Sequence, residues 1–154
     1  MIPMRHLSLL LCFVSTSVSA EWNNWRGPNY NLSTGDEAFP LKFSPNENVV
    51  WSARIPGEGT PTPAIRGDNL YLTCMDTLIA FNLKGKRLWE AQIGIGEEGI
   101  HRAGTGANPS PVVDDSGVYV YFKFASLDKF IHSGKELWEK TCRRDTASPA
   151  NGGT

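Results

Sequence analysis

An internal repeat constrains the fold of this chain more than any other feature of its sequence. Residues 63–72 read PAIRGDNLYL and residues 111–120 read PVVDDSGVYV, at an offset of 48. Both run from a proline through two apolar residues and a polar turn to an apolar-Tyr-apolar end. Residues 78–90 and 127–139 match at an offset of 49, with Leu, Phe, Gly, Lys, Leu, Trp and Glu in register. Two matches in the same order predict a repeat protein, in which each unit buries an apolar face against its neighbour.

Each unit contains four short runs rich in Val, Ile, Tyr and Phe, separated by Gly, Asp, Asn and Lys turns, as is typical of antiparallel strands. The strands predicted for the two units are 62–65, 69–74, 78–82 and 87–93, then 110–113, 118–124, 127–131 and 136–141. Gly85 and Gly134 supply the positive φ that a tight turn before the fourth strand needs. Four antiparallel strands in about 48 residues predict an all-β chain made of β-propeller blades.

One predicted strand also shows which side chains share a face. Side chains alternate between the two faces of a strand, so one face of this strand is predicted to hold Val118, Val120, Phe122 and Phe124. The other face is predicted to hold Tyr119, Tyr121 and Lys123.

A partial unit precedes the two full ones. Residues 49–56 resemble residues 87–94, which include the last strand of the first unit. In a propeller, such an orphan strand at 49–59 pairs with strands from the far end of the chain and closes the ring. Residues 147–150 resemble the start of the first unit, so 144–154 is predicted to be a tail or the start of a further blade.

The fold prediction is therefore an incomplete β-propeller of about two four-stranded blades. The segments, in chain order, are a signal peptide at 1–20, an extension at 21–48, the orphan strand at 49–59, blades at 60–107 and 108–143, and the segment 144–154. Since closed propellers need at least about four blades, further blades of the same propeller are expected partners.

The first twenty residues, MIPMRHLSLLLCFVSTSVSA, predict a signal peptide that is cleaved after Ala20. They begin with basic residues, continue with an apolar run and end with small residues. That run is far shorter than the ~20 apolar residues of a membrane span, so we predict export to the periplasm or the cell exterior and no integral membrane span. Cleavage removes Cys12 and leaves Cys74 and Cys142, whose spacing leaves open whether they form a disulfide.

The charges exclude one class of partner. The chain has 15 Lys+Arg and 16 Asp+Glu, a net charge of −1, which is not the basic excess that nucleic-acid binders use. Residues 94–99 match G-x-G-x-x-G, but glycines and a proline follow them instead of a nucleotide-binding helix. His101 and His132 each stand alone, so no zinc site is predicted.

Three motifs carry a resemblance to a known family. The first is the W-x-x-W-R-G-P segment, which comprises Trp22, Trp25, Arg26, Gly27 and Pro28. The second is the segment 44–59, and the third is 80–89, which resembles A-x-D-x-x-x-G-x-x-x-W with Asn82 for Asp and a turn one residue shorter. With these motifs the chain resembles the pyrroloquinoline-quinone-like (PQQ-like) β-propeller repeat proteins, in particular a secreted, planctomycete-type branch. The second unit departs from the motif at Lys129 and Ile131.

The resemblance implies structural roles for the repeat positions. Neighbouring blades would pack around Trp51, Trp89 and Trp138, since an indole buries a large apolar area and its N–H can still reach a carbonyl. The remaining positions with an expected structural role in the repeat are Pro63, Pro111, Gly85 and Gly134.

The resemblance implies two functional classes. One is a non-catalytic scaffold that binds other proteins. The other is the N-terminal part of a PQQ-dependent quinoprotein dehydrogenase, with PQQ and Ca²⁺ on the propeller axis. Those dehydrogenases carry adjacent cysteines over the cofactor, and this sequence has no Cys-Cys pair. We therefore predict the scaffold, with no catalytic residues, metal site or cofactor, and keep the dehydrogenase as the alternative.

Overall fold

The computed structural model describes residues 21–32, 40–57, 59–93, 109–122 and 126–141. Within these ranges the chain forms strands and no helix. The strands are β1 (Glu21–Trp22), β2 (Ala64–Arg66), β3 (Asn69–Cys74), β4 (Thr77–Asn82), β5 (Arg87–Gln92), β6 (Val112–Asp114), β7 (Gly117–Phe122), β8 (Ser126–Phe130) and β9 (Glu136–Thr141). They form two antiparallel sheets, ordered β1-β2-β3-β4-β5 and β6-β7-β8-β9, and neither is closed into a ring. The all-β prediction is confirmed for the described residues.

All eight strands predicted for the two units are present as β2 to β9, with ends that differ by two residues or fewer. Even the irregularities repeat. The β4–β5 ladder shifts its register between Ala80 and Phe81, and the β8–β9 ladder shifts between Lys129 and Phe130, at the equivalent position. A bulge at the same place in both sheets gives their outer strands the same local twist.

The N-terminal half of the chain differs from the sequence prediction in two ways. Residues 49–57 belong to no strand, although an orphan strand was expected at 49–59, because no described strand lies beside them to form a ladder. The second difference is β1, in which Glu21 pairs with Arg66 and Trp22 pairs with Ile65, so the first sheet has a fifth strand. A strand of two residues is too short to show the alternation on which strand prediction depends.

The predicted alternation in β7 is confirmed where the strand is described. Val118, Val120 and Phe122 are buried, whereas Tyr121 is 43% exposed and Tyr119 is partly buried. The remaining two residues of that prediction, Lys123 and Phe124, lie outside the described residues.

The buried faces of the two sheets meet in one hydrophobic core. Its members are Ala64, Tyr71, Leu78, Ala80, Ile93, Val113, Val118, Val120, Phe122 and Phe130, with Trp89 and Ala91 packed against them. A smaller cluster on the far side of the first sheet contains Cys74, Ile79 and Phe81, with Leu70 beside them. The first sheet is therefore covered on both faces.

Glycine is required at the turn before β5 and at the turn before β9. Gly85 has φ +83° and Gly134 has φ +92°, a region that residues with a Cβ rarely adopt. A Cβ at Gly85 would lie 2.7 Å from Cδ2 of Trp51, and one at Gly134 would lie 2.7 Å from Cδ2 of Trp89. The missing side chain therefore makes room for an indole as well as permitting the turn.

We expect Gly134→Ala to lower the free energy of unfolding by about 2 kcal/mol or more, because the new methyl group combines a strained φ with a clash against Trp89. Urea denaturation monitored by Trp fluorescence measures the change. Ser133→Ala, at an exposed position in the same turn, is the matched control. Equal stability of the two variants would contradict the role assigned to this glycine.

Candidate functional site

Trp89 joins the two sheets. It lies on β5 of the first sheet, and its Nε1 donates a hydrogen bond of 2.9 Å to the carbonyl of His132 in the second sheet's turn. Its ring stacks on Phe130, with 6.2 Å between ring centroids and an interplanar angle of 23°. Gly134 lies under the same indole. We call this combination of carbonyl, aromatic ring and glycine the tryptophan contact.

Trp51 makes the same contact on the first sheet. Its Nε1 donates to the carbonyl of Leu83 at 2.9 Å, its ring stacks on Phe81 at 6.0 Å and 26°, and Gly85 lies beneath it. The three residues that contact this indole each lie 49 positions before the residue that makes the same contact with Trp89. Although residues 49–57 form no strand, Trp51 is therefore placed against the first sheet as Trp89 is placed against the second.

Trp138 lies on the face of the second sheet that points away from the first. Cross-strand pairing places its neighbours in two rows. One row runs Val112–Tyr119–Lys129–Trp138 and the other runs Tyr121–Leu127–Lys140. We call these seven side chains the open face. Val112 and Tyr121 are 48% and 43% exposed, so the apolar part of this surface is not covered by the described residues.

The matching rows of the first sheet are buried against the second. They run Ala64–Tyr71–Ala80–Trp89 and Thr73–Leu78–Ala91. The hydroxyl of Tyr71 is 2.8 Å from Nδ1 of His132 across the sheet interface, and burial raises the pKa of this tyrosine. On the open face, the hydroxyl of Tyr119 instead contacts Ser116 at 2.9 Å and Asp114 at 3.3 Å in its own unit. The same residue type therefore has a partner across the interface in one unit and a local partner in the other.

Two lysines distinguish the open face from its buried counterpart. Lys129 replaces Ala80, and its Nζ lies 4.9 Å from the centroid of the Tyr119 ring. Lys140 replaces Ala91, and its Nζ lies 5.5 Å from the Trp138 ring. Ammonium groups at such distances interact favourably with the faces of aromatic rings.

Three carboxylates lie on the opposite face of the second sheet, which meets the first sheet. Asp128, Glu136 and Glu139 have oxygens that lie within 4.8 Å of one another. Asp128 is 3% exposed and accepts a hydrogen bond from Ser126. Burial raises the pKa of Asp128, the charges of Glu139 and Glu136 raise it further, and the Ser126 hydroxyl opposes this by lowering it. A strand pattern does not predict a buried carboxylate, but the repeat aligns Asp128 with Ile79, which is also buried, and this alignment is the signal that could have shown that the position is buried.

The N-terminal motif connects both sheets at the edge formed by β1. The carbonyl of Asn23 accepts a hydrogen bond of 2.9 Å from the amide of Val113. Gly27, with φ +71°, is buried against the ring of Trp22, whose six-membered ring would lie 2.8 Å from an added Cβ. Arg66, which pairs with β1 in the first sheet, also forms an ion pair with Asp115 in the turn of the second unit.

The remaining residues of that motif are at the surface. Trp25 is 55% exposed, the guanidinium of Arg26 lies 4.9 Å from its ring centroid, and Pro28 is exposed. Trp25, Arg26 and Tyr30 line an open cleft of about 520 Å³ together with Ser110.

The other residues singled out in the sequence are either wholly or partly buried in the fold or lie outside the described residues. Pro63 precedes β2 and is partly buried, and Pro111 precedes β6 and is fully buried. Cys74 is buried, and this burial raises the pKa of its thiol. The predictions that fall outside the described residues concern the signal peptide at 1–20, the loop at 94–99, Cys142 and the segment 144–154.

His132, the one histidine in the described ranges, is engaged with Tyr71 at the sheet interface. Exposure, aromatic area and charge are combined on the open face and also at Trp25, Arg26 and Tyr30. The open face in addition carries Trp138, the third tryptophan of the repeat, and is the candidate functional site.

No protein-family model matches the chain, and no curated protein matches it significantly. The resemblance to PQQ-like repeats therefore stays a prediction from the motifs. In the part of the chain that the structure describes, no helix is long and apolar enough to cross a membrane.

We expect Asp128→Asn to raise the melting temperature near neutral pH and to have little effect below about pH 4. Because the pKa of Asp128 is raised in the folded chain, the folded state holds its proton more tightly than the unfolded state, and stability falls as pH rises from the ordinary pKa of 3.8 to the folded one. Asparagine keeps an acceptor for Ser126 and removes the charge.

Thermal unfolding of both proteins across this pH range tests the expectation. Asp68→Asn, at an exposed turn, is the control. A neutral-pH melting temperature that is lower for Asp128→Asn than for the unchanged chain would contradict it.

Proposed function

We propose that this chain supplies two adjacent blades of an exported, non-catalytic β-propeller of the PQQ-like repeat type, which serves as a scaffold that binds other proteins. The observation that carries the proposal is the repeated tryptophan contact. Trp51 meets the first sheet through the same carbonyl, ring and glycine positions through which Trp89 meets the second. A contact that recurs with the period of the sequence supports a stack of identical geometry.

The cross-strand rows support the same arrangement. Each sheet has one face that receives a tryptophan and another face that presents one, so sheets of this kind can be added in a single direction. Such head-to-tail addition produces either an open stack or a closed ring. The four-stranded antiparallel unit of about 48 residues favours the ring, since it is the size of a propeller blade.

Binding is favoured over catalysis because of where the large side chains lie. The open face presents Tyr121, Val112 and Trp138 around two ammonium groups, and contiguous apolar surface of this kind is typical of protein contacts. The alternative, a PQQ-dependent dehydrogenase, uses adjacent cysteines that this sequence does not contain. The pattern of residues 1–20 supports export.

The proposal predicts that Trp138 becomes structurally important once another blade covers it. The test protein is the full chain followed directly by a second copy of residues 106–141, which we call the extended chain. The connection from β9 to the first added strand then has the same length as the connection from β5 to β6. In the extended chain we expect Trp138→Phe to cost about 1–3 kcal/mol, through loss of an indole hydrogen bond.

Two comparisons make this measurement decisive. Trp89→Phe should cost a similar amount in the chain without the extension, because its Nε1 already donates to His132. Trp138→Phe should change the stability of that shorter chain by less than about 0.5 kcal/mol. If Trp138→Phe has equal effects in both chains by urea denaturation, the added sheet does not stack and the propeller proposal fails.

A second prediction separates the scaffold from the dehydrogenase. We expect isothermal titration calorimetry of the full chain with PQQ and Ca²⁺ at micromolar concentrations to give no saturable isotherm. A cofactor on the propeller axis needs contacts from several blades around the ring, and these two sheets are not closed into one. Saturable binding that depends on both components would support the dehydrogenase instead.

A further inference from the structure

Residues 21–23 lie across an edge that both sheets help to form. The first two of them pair with β2 as the antiparallel strand β1. The carbonyl of the third, Asn23, accepts a hydrogen bond of 2.9 Å from the amide of Val113 in β6. We call residues 21–23 the strap. The strap site consists of the residues that hold it, which are Ile65, Arg66 and Val113.

Arg66 supplies the charge of the strap site. One nitrogen of its guanidinium lies 3.5 Å from a carboxylate oxygen of Glu21, and its Nε donates to Asp115 at 3.1 Å. Asp115, in the turn of the second unit, thereby fixes the position of the guanidinium. A strand edge that offers main-chain hydrogen bonds beside one cation favours an extended segment that carries a carboxylate.

The strap is a weakly bound occupant of this site. Its ladder is two residues long, and the Glu21 side chain is 43% exposed, so the ion pair with Arg66 contributes little. Nε1 of Trp22 and Oδ1 of Asn23 are buried and have no hydrogen-bond partner among the described residues. Burial of a polar atom without a partner opposes docking. We therefore expect the strap to leave its site more readily than the longer strands leave theirs.

Release of the strap would expose the edge of β2 together with the amide of Val113. An open strand edge presents a row of N–H and C=O groups that can pair with an extended segment of another chain. In recognition by strand addition, these main-chain groups give affinity and side-chain contacts give specificity. While the strap is docked it competes for the same groups, so it lowers the apparent affinity for any other segment.

We propose that the strap site binds an extended segment of another polypeptide by strand addition, and that the strap is its built-in competitor. The partner segment carries a carboxylate directly before an aromatic side chain, as the strap does at Glu21 and Trp22. Arg66 pairs with that carboxylate. The inference goes beyond the proposed function and does not assume that sheets stack, because the strap site lies at a strand edge.

The probe is a synthetic peptide with the sequence of residues 21–30, acetylated so that it begins with an amide as in the full chain, and labelled with a fluorophore. Fluorescence anisotropy measures its binding to the full chain. Combining Glu21→Ala with Trp22→Ala weakens the strap, and we expect this variant to bind the peptide at least about fivefold more tightly than the unchanged chain does. The matched control combines Trp25→Ala with Arg26→Ala, which lie outside the ladder, and should leave the affinity unchanged.

Two further changes test the chemistry of the partner. Glu21→Gln in the peptide, or Arg66→Ala in the strap-weakened variant, should lower the affinity at least about twofold. Arg87→Ala, at an exposed arginine of β5, is the control and should not. Replacing the first indole of the peptide with benzothiophene, which has nearly the same shape and no N–H, should raise the affinity at least about twofold.

A second measurement uses the unchanged chain and keeps the test valid if the strap-weakened variant folds poorly. The peptide then carries a nitroxide in place of the fluorophore. We expect it to broaden the amide NMR resonances of Arg66 and Val113, since both belong to the strap site. Broadening confined to other residues would place the peptide elsewhere and overturn the proposal.

The remaining outcomes also decide the proposal. Equal affinity of the strap-weakened variant and the unchanged chain would refute competition by the strap, and affinity that is independent of Arg66 would refute the site. If the unchanged chain forms a dimer that the peptide dissociates, the occupant is the strap of a second copy, and a separate partner is refuted. None of these results alters the comparison of Trp138→Phe in the two chains, so the proposed function stands or fails separately.

Discussion

The indole of a tryptophan against the glycine turn of the next sheet is the interaction on which the rest of this structure depends. The Trp89 hydrogen bond to the His132 carbonyl fixes the distance between the sheets, and stacking on Phe130 fixes the angle. Both require that position 134 has no side chain, since a Cβ there would overlap the ring. Once this contact is set, the apolar residues of the two facing sheets lie within one core. The contact is local, but its consequence is the packing of the whole interface.

Equivalent residues in the two units have different surroundings, and the difference comes from the neighbouring sheet. Tyr71 is fully buried and meets His132, whereas Tyr119 contacts Ser116 and Asp114 in its own turn. Each tyrosine hydroxyl group forms a hydrogen bond with a polar group within its reach, because an unpaired polar group is unfavourable when it is buried. Sequence similarity therefore specifies the fold of each unit, while the environment of a side chain depends on what lies against the sheet.

Strand positions could be predicted because alternation and the 48-residue repeat are properties of the local sequence. Three features could not be predicted in this way. β1 is too short to alternate, and Trp51 reaches its partner without a strand because the contact depends on the side chain. Asp128 is buried, and a strand pattern alone does not predict a buried carboxylate. Of the candidate site, the sequence identified Trp138 and the departure at Lys129, but the rows that bring Lys140 beside them required the register of the ladders.

The tryptophan contact gives each sheet two unlike faces, one that receives an indole and one that presents an indole. Tryptophan contacts alone would allow any sheet with a glycine turn to cover any other, because the carbonyl and the aromatic ring are generic partners. The second unit departs from the first at Lys129 and Lys140, which stand where the first unit has Ala80 and Ala91, so the open face is not chemically equivalent to the buried face of the first sheet. In a chain whose units resemble one another, any order among the units has to come from such departures from the repeat.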